Sequence, residues 1–251
     1  MPVKDQVCII TGAGSGVGRA TALMMADEGA LPILVGRTLS KLDEVKAEIA
    51  GRGGQAEMFA LDVGDHFAVQ SMTKAVLDQF GRVDVLINNA GHSSPHRTLL
   101  TTTPDEIQSV LGTNLVGTIF CSQAVIPSML AAGRGTIISV SSMSGVTPGL
   151  IGGMVYSAAK AAIINFTGFL NYEFKNTGVR ASVVIPGEVD TPTLDARPVV
   201  PDSEARESMV TAEDAAEAIV LIVRLPDRTT IQELRFRPTY LRDFSTEEGL
   251  A

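Results

Sequence analysis

A tyrosine and a lysine stand four residues apart in the stretch YSAAK, as Tyr156 and Lys160, with only small residues between them. Residues at that spacing share one face of a helix, so the Lys160 ammonium can sit beside the Tyr156 phenol. An unperturbed tyrosine titrates near pH ~10, and a neighbouring positive charge favours its phenolate. Lowering that value to about 7 takes roughly 4 kcal/mol of differential stabilisation, at about 1.4 kcal/mol per unit. A phenol tuned in this way can donate a proton to a carbonyl oxygen and take it back in the reverse direction. The plainer alternative is an amphipathic helix face that carries two polar side chains.

A second stretch, TGAGSGVG, follows the first apolar run and opens a segment of helical period. Its glycines, Gly12, Gly16 and Gly18, let the chain turn sharply. They also let a pyrophosphate approach main-chain N–H groups at the positive end of the following helix. A strand before and a helix after the cluster is the context a dinucleotide site requires.

The elements that must position these residues are legible as an alternation. QVCII precedes a helical segment at 16–29, LPILV one at 40–52, AEMFAL one at 65–80, and VDVLIN one at 104–131. GTIISVS, a helix at about 154–176, RASVVIP, a helix at about 212–224, and IQELRFR follow. Strands alternating with helices predict a parallel sheet covered on both faces. The segment 188–210 breaks the rhythm with Pro192, Pro198 and Pro201 and no sustained period. A connection this long inside a compact domain is expected to be a lid or substrate loop.

The chain of 251 residues is 45% hydrophobic with 24 glycines, which suits one large α/β domain over 1–251. A net charge of −8 without a basic block argues against nucleic acid or anionic lipid as partners. The apolar runs fall short of the ~20 residues of a membrane helix, and MPVKDQVCIITGAG has no secretory signal pattern. Two cysteines, Cys8 and Cys121, form neither a disulfide framework nor a zinc pattern, so a reducing cytoplasm is expected. His66, His92 and His96 are too scattered for a metal site. No metal is expected, and His92 and His96 read as a surface loop that at most borders the substrate entrance.

The glycine spacing is T-G-x-x-x-G-x-G. With NNAG at 88–91, Asn114 in GTNLVG, Ser142 in SSMSG, YSAAK and PGEVDT at 186–191, the chain resembles the short-chain dehydrogenase/reductase family. The resemblance implies a single Rossmann-like domain, α/β, with a doubly wound seven-stranded parallel sheet and helices on both faces. It implies a catalytic set of Asn114, Ser142, Tyr156 and Lys160. Tyr156 is the acid and base, Lys160 also holds the nicotinamide ribose, Ser142 bonds the substrate oxygen, and Asn114 positions a proton-relaying water. Ser142 is preferred to Ser141 and Ser144 because the family's serine falls three residues before a glycine, here Gly145.

The implied cofactor contacts begin with Thr11, Gly12, Ser15, Gly16, Val17 and Gly18. Arg37 follows the second strand, Asp62 and Val63 lie near the adenine, and Asn89, Ala90 and Gly91 run along the adenosine side. Asp62 has a competing reading as a helix cap. Pro186 and Gly187 belong to the same contacts, with Val189 and Thr191 at the carboxamide, and Tyr156 and Lys160 complete them. At the second strand's end, Gly36 stands where NAD-preferring members carry an acid, and Arg37 can pair with a 2′-phosphate. NADP(H) is therefore expected over NAD(H), although Ser15 is not the second basic residue many NADP-preferring members show.

The expected reaction interconverts a small-molecule carbonyl compound and its secondary alcohol. The pocket-forming stretches GVTPGLIGGMV and TLDARPVV read as mostly apolar with few fixed charges, suiting a medium-sized ketone. Other readings are an NADP(H)-binding redox sensor without turnover, a 3-hydroxy acid dehydrogenase using NAD, and a nucleotide-sugar epimerase or dehydratase. The last would carry a T-G-x-x-G-x-x-G loop and an added domain. The tail, with IQELRFRPT in place of the family's frequent TGQ and DGG, disfavours a ketoacyl-carrier-protein reductase. Arg235, Arg237 and Arg242 are expected to meet a neighbouring subunit of a homodimer or homotetramer.

Overall fold

The protein is described by a computed structural model over residues 3–245. Seven strands form: β1 (Val7–Thr11), β2 (Leu31–Gly36), β3 (Glu57–Ala60), β4 (Val85–Asn88), β5 (Gly135–Val140), β6 (Val179–Pro186) and β7 (Glu233–Phe236). All pair in parallel, in the order β3-β2-β1-β4-β5-β6-β7. A parallel sheet is covered on both sides, which is why its central strands are near-continuous apolar runs.

Successive side chains go to opposite faces. Cys8 and Ile10 join Leu34 and Ile138 in one core layer, while Val7 and Ile9 join Ile33 and Ile137 in the other. The first layer packs under α1 (Gly16–Asp27), α2 (Leu39–Gly51) and α8 (Ala212–Arg224). The second packs under α3 (His66–Phe80), α5 (Gly117–Ala132) and α6 (Met154–Glu173). Buried Arg180 ties β6 to the end of α8, donating to the carbonyls of Ile222 at 3.2 Å and Leu225 at 3.1 Å. A cation at a helix C-terminus is well placed against its dipole.

The sequence predicts one helix over 104–131. The structure instead joins α4 (Pro104–Leu111) to α5 through a π-helical turn at Gly112–Val116, with Asn114 at its centre. Such turns concentrate at functional sites because the extra residue re-aims a side chain. The whole stretch Pro104–Ala132, with a hydropathy of 1.7, is long and apolar enough to cross a membrane, which the reading of uninterrupted apolar runs did not anticipate. Here it is a core helix, with Val125 and Met129 buried in the second layer.

The segment 188–210 leaves the sheet after β6 and returns to its own start. Asp190 N–H donates to Val210 O at 2.8 Å and Val210 N–H to Glu188 O at 3.1 Å, closing its neck. The excursion contains a 3₁₀ turn (Pro192–Ala196) and the short α7 (Ser203–Glu207), which the proline-rich sequence concealed. The end of the tail, 246–251, lies outside the described residues.

Candidate active site

The strand order reverses between β1 and β4, and connections leaving neighbouring strands toward opposite faces open a crevice at their C-terminal ends. Two adjoining clefts occupy it, one of about 290 Å³ over the glycine loop and one of about 430 Å³ toward β5 and β6.

The smaller cleft is backbone-built. Gly12 has φ +67°, and a Cβ there would lie 2.9 Å from Asn89 Nδ2, so only glycine suits this turn. Ser15, the N-cap of α1, makes no side-chain bond to the first-turn amides, and the helix opens beside the cleft. Uncapped amides at a positive helix end, a glycine-rich loop and a basic rim fit a dinucleotide pyrophosphate. Gly16, Val17, Asp62, Val63 and Ala90 also line this cleft, and Asn89 and Gly91 line both. Thr11 and Gly18 line neither. The buried Thr11 hydroxyl accepts from Asn89 and Ala90 N–H, both at 3.0 Å, and fixes that segment from beneath. Gly18 lets α1 approach the Gly12 carbonyl, where a Cβ would stand 2.3 Å away. Asp62 accepts from Gly64 N–H at 2.8 Å, and Asp65, not Asp62, caps α3.

Arg37 stands on the rim with Thr38 and Lys41. Lys41 escaped the sequence reading. The available signal was its place four residues after Arg37, on the first turn of a helix that starts beside it.

In the larger cleft, Tyr156 and Lys160 project from the start of α6, with the Lys160 Nζ 5.5 Å from the phenol ring centroid. Lys160 is buried and donates to the Val140 carbonyl at 2.7 Å. Ser142 caps the 3₁₀ turn Met143–Gly145 and stands near enough to Tyr156 for its hydroxyl to favour the phenolate. Its neighbour Ser141 is buried on the Lys160 carbonyl at 2.7 Å, and Ser144 lines the cleft. Gly145 makes this possible, because a Cβ there would be 2.6 Å from the Lys160 backbone carbon. Asn114 is fully buried outside both linings. Its side chain accepts from His92 N–H at 2.9 Å and donates to His92 O at 3.0 Å, pinning the segment after β4. A Cβ on Gly91 would meet Asn114 Oδ1 at 3.1 Å and Lys160 Nζ at 3.4 Å, so all three converge. Pro186, Gly187, Val189 and Thr191 form the wall from β6.

The electrostatics differ from the sequence expectation in two ways. Burial pushes the Tyr156 phenol up rather than down, against opposing contributions from Ser142 and the charges of Arg197 and Arg97. Burial also lowers Lys160 to about 8, and it is not among the groups that favour the phenolate here. Second, the pocket is not poor in fixed charge. The stretches expected to wall it do so, but Arg97, Arg197, Arg237, Arg242 and Glu188 all reach the lining. Arg242, expected at a subunit contact, instead donates to Glu188 of its own chain at 2.8 and 2.7 Å. Arg235 pairs with Glu233 on the surface. His92 borders both clefts, whereas His96 pairs with Glu106 outside.

Residues 6–198 match the short chain dehydrogenase family. An uncharacterized oxidoreductase of Staphylococcus epidermidis is 33% identical over 236 residues, covering 94% of this chain and 98% of its own. An alcohol dehydrogenase from the archaeon Thermococcus sibiricus, solved with 5-hydroxy-NADP, superposes with a TM-score of 0.84 at 28% identity, covering 96% of this chain and 99% of its own. The closed form of a serine dehydrogenase complexed with NADP+ superposes at 0.85 with 27% identity, covering 95% and 99%.

Proposed function

The chain belongs to the short-chain dehydrogenase family and is an oxidoreductase acting on CH–OH groups with a nicotinamide dinucleotide, and we propose that it is NADP(H)-dependent and uses Tyr156 as its acid and base. The observation that carries this reading is Tyr156 on the cleft wall, beside Ser142 and backed by buried Lys160. When bound, the dinucleotide takes up or delivers the hydride, so that a secondary alcohol yields its carbonyl compound, reduced cofactor and one proton.

The chain's own residues handle the proton. Tyr156 gives it to the carbonyl oxygen in reduction and removes it from the hydroxyl in oxidation. Ser142 donates to the same oxygen and stabilises the charge that develops there. Lys160 holds a positive charge behind the phenol and would hold the nicotinamide ribose, and Asn114 keeps the 91–92 segment against it. Because burial keeps the phenol protonated, the ligand-free site is set for reduction at neutral pH.

Arg37, Thr38 and Lys41 on the adenosine rim support a 2′-phosphate, as do neighbours solved with NADP+ and 5-hydroxy-NADP. Exposed Phe169 and Tyr172 on the long helix α6 support a homodimer or homotetramer. Two reduced, buried cysteines suit the cytoplasm.

The test follows NADPH consumption with a panel of ketones, aldehydes, oxo acids and oxo esters, for wild type and Tyr156→Phe. Turnover that disappears in the variant while NADPH still binds supports the reading. Unchanged turnover in the variant would sink Tyr156 as the acid, and cofactor binding without turnover of any member would favour a redox sensor.

A further inference from the structure

After β7 the chain comes back against the wall of the larger cleft. Gly187 N–H donates to the Phe236 carbonyl at 2.8 Å, and a Cβ on Gly187 would stand 2.7 Å from Arg237 Cβ and 3.0 Å from its Cα. A residue without a side chain is what lets the tail pass so close to the 186–191 wall. Further along the tail, Arg242 donates to Glu188 at 2.8 and 2.7 Å, so the stretch 237–242 is pinned at both ends to consecutive residues of that wall. The Arg242 guanidinium also lies 4.7 Å from the centroid of the Phe244 ring, which holds that ring at the cleft.

The surface this pinned tail presents is apolar. Tyr240 is 79% exposed and Leu241 56%, and both line the cleft with Phe244. Met143, Ile151 and Leu194 add apolar surface from other segments of the same lining. Large apolar side chains standing open in a recess gain when a ligand removes them from water. The charged groups beside them are occupied within the protein, Glu188 with Arg197 and Arg242, and Arg97 with Ser93 Oγ and the Gly152 carbonyl.

On the oxidoreductase reading above, we infer that the substrate is a ketone, or its secondary alcohol, with an uncharged apolar chain, and that Tyr240, Leu241 and Phe244 of the tail receive that chain. Tyr156 lines the same cleft, so a carbonyl held there leaves the rest of the molecule to the tail. Glu188 and Arg242 act as positioning residues, since they fix the segment that carries the three apolar side chains. The cleft of about 430 Å³ must also admit the nicotinamide ring, which limits the chain to a medium length.

The experiment follows NADPH consumption across the straight-chain series from 2-butanone to 2-octanone, and NADP+ reduction with the matching alcohols. In the wild type kcat/KM is expected to rise about threefold per added methylene, the worth of a methylene taken out of water. Leu241→Ala and Phe244→Ala should flatten this rise, with the loss carried by KM and largest for the longest member. Phe244→Leu, which keeps apolar surface there, should retain most of it. Arg242→Gln loosens the hold on Glu188 without touching an apolar side chain and should flatten the rise as well, with Arg242→Lys restoring part of it. Melting midpoints and NADPH affinity equal to wild type identify a lost substrate contact rather than a damaged fold. Tyr156-dependent turnover that is confined to oxo acids, level across the series, or rising in a way the tail variants leave alone overturns the tail inference while the oxidoreductase reading stands. Absence of turnover with the series and with every member of the wider panel, in a protein that binds NADPH, overturns both.

Discussion

The two clefts share a crevice but are made differently. The adenosine side is formed by main chain, by Gly12 in a conformation only glycine adopts freely and by helix amides left uncapped beside Ser15. The substrate side is formed by side chains, with Arg97, Glu188, Arg197 and Arg242 arriving from three separate segments. A backbone site tolerates few sequences and so leaves a contiguous signature. A side-chain site needs only the right charges at the end of a long path through the fold.

The sharpest test of that contrast is Tyr156→Phe. It removes one oxygen from the substrate side and leaves the backbone side untouched. Turnover should fall by about 100- to 10,000-fold, the usual worth of a positioned acid, with NADPH affinity near wild type. A parallel loss of NADPH binding would mean that the two sides are not separable.

Gly145→Ala reaches the same chemistry through the backbone. A Cβ would stand 2.6 Å from the Lys160 carbonyl carbon and 2.8 Å from Ala161 N, and backbone on both sides has no rotamer to yield. The turn that carries Ser142 must move away from α6, at a cost of about 1–3 kcal/mol in stability. Denaturant unfolding reads that loss, and kcat should drop with it because Ser142 moves away from Tyr156. A variant as stable and active as wild type would show that the close approach is not needed.

These two positions also mark what was legible. The glycine loop, YSAAK, the parallel sheet and the boundaries of the 188–210 excursion were readable, because each is a local pattern with a backbone cause. The π turn around Asn114 was not, since the sequence reads as one helix through Gly112–Val116. The direction of the Tyr156 shift was missed because four-residue spacing gives proximity and says nothing of burial. Arg242 was assigned outward from its position in a charged tail, and only the tail's path back to Glu188 turns it inward.

Lys160 supplies a pH test of the same distinction. Its folded value of about 8 lies below the ordinary 10.5, so between those values the unfolded chain holds more protons than the folded one. Stability contributed by this site therefore rises with pH across that window, and the charged lysine is a cost below it. Lys160→Met should abolish that rise in denaturant titrations while removing most activity. In the wild type, carbonyl reduction should hold steady to about pH 8 and decline above it, as the ammonium behind Tyr156 is lost. Alcohol oxidation, which needs the phenolate, should rise with pH instead. A reduction profile flat to pH 10 would remove Lys160 from the proton pathway.

The smallest expected effects lie on the adenosine rim, the one part of the backbone-built cleft where side chains decide. Arg37→Ala should raise KM for NADPH by about 10-fold or more and leave NADH unchanged, since a charge-assisted bond to a 2′-phosphate is worth roughly 1.5–3 kcal/mol. Lys41 is exposed on the first turn of α2, and an exposed charge contributes no more than about 1 kcal/mol. Its replacement by alanine should therefore cost about fivefold or less, again for NADPH alone. If the two losses fall equally on NADPH and NADH, the rim charges do not read the phosphate, and the preference for NADP(H) falls. If Lys41→Ala matches Arg37→Ala, the adenosine side depends on a folded-in side chain as the substrate side does, and the contrast between them narrows to the glycine loop.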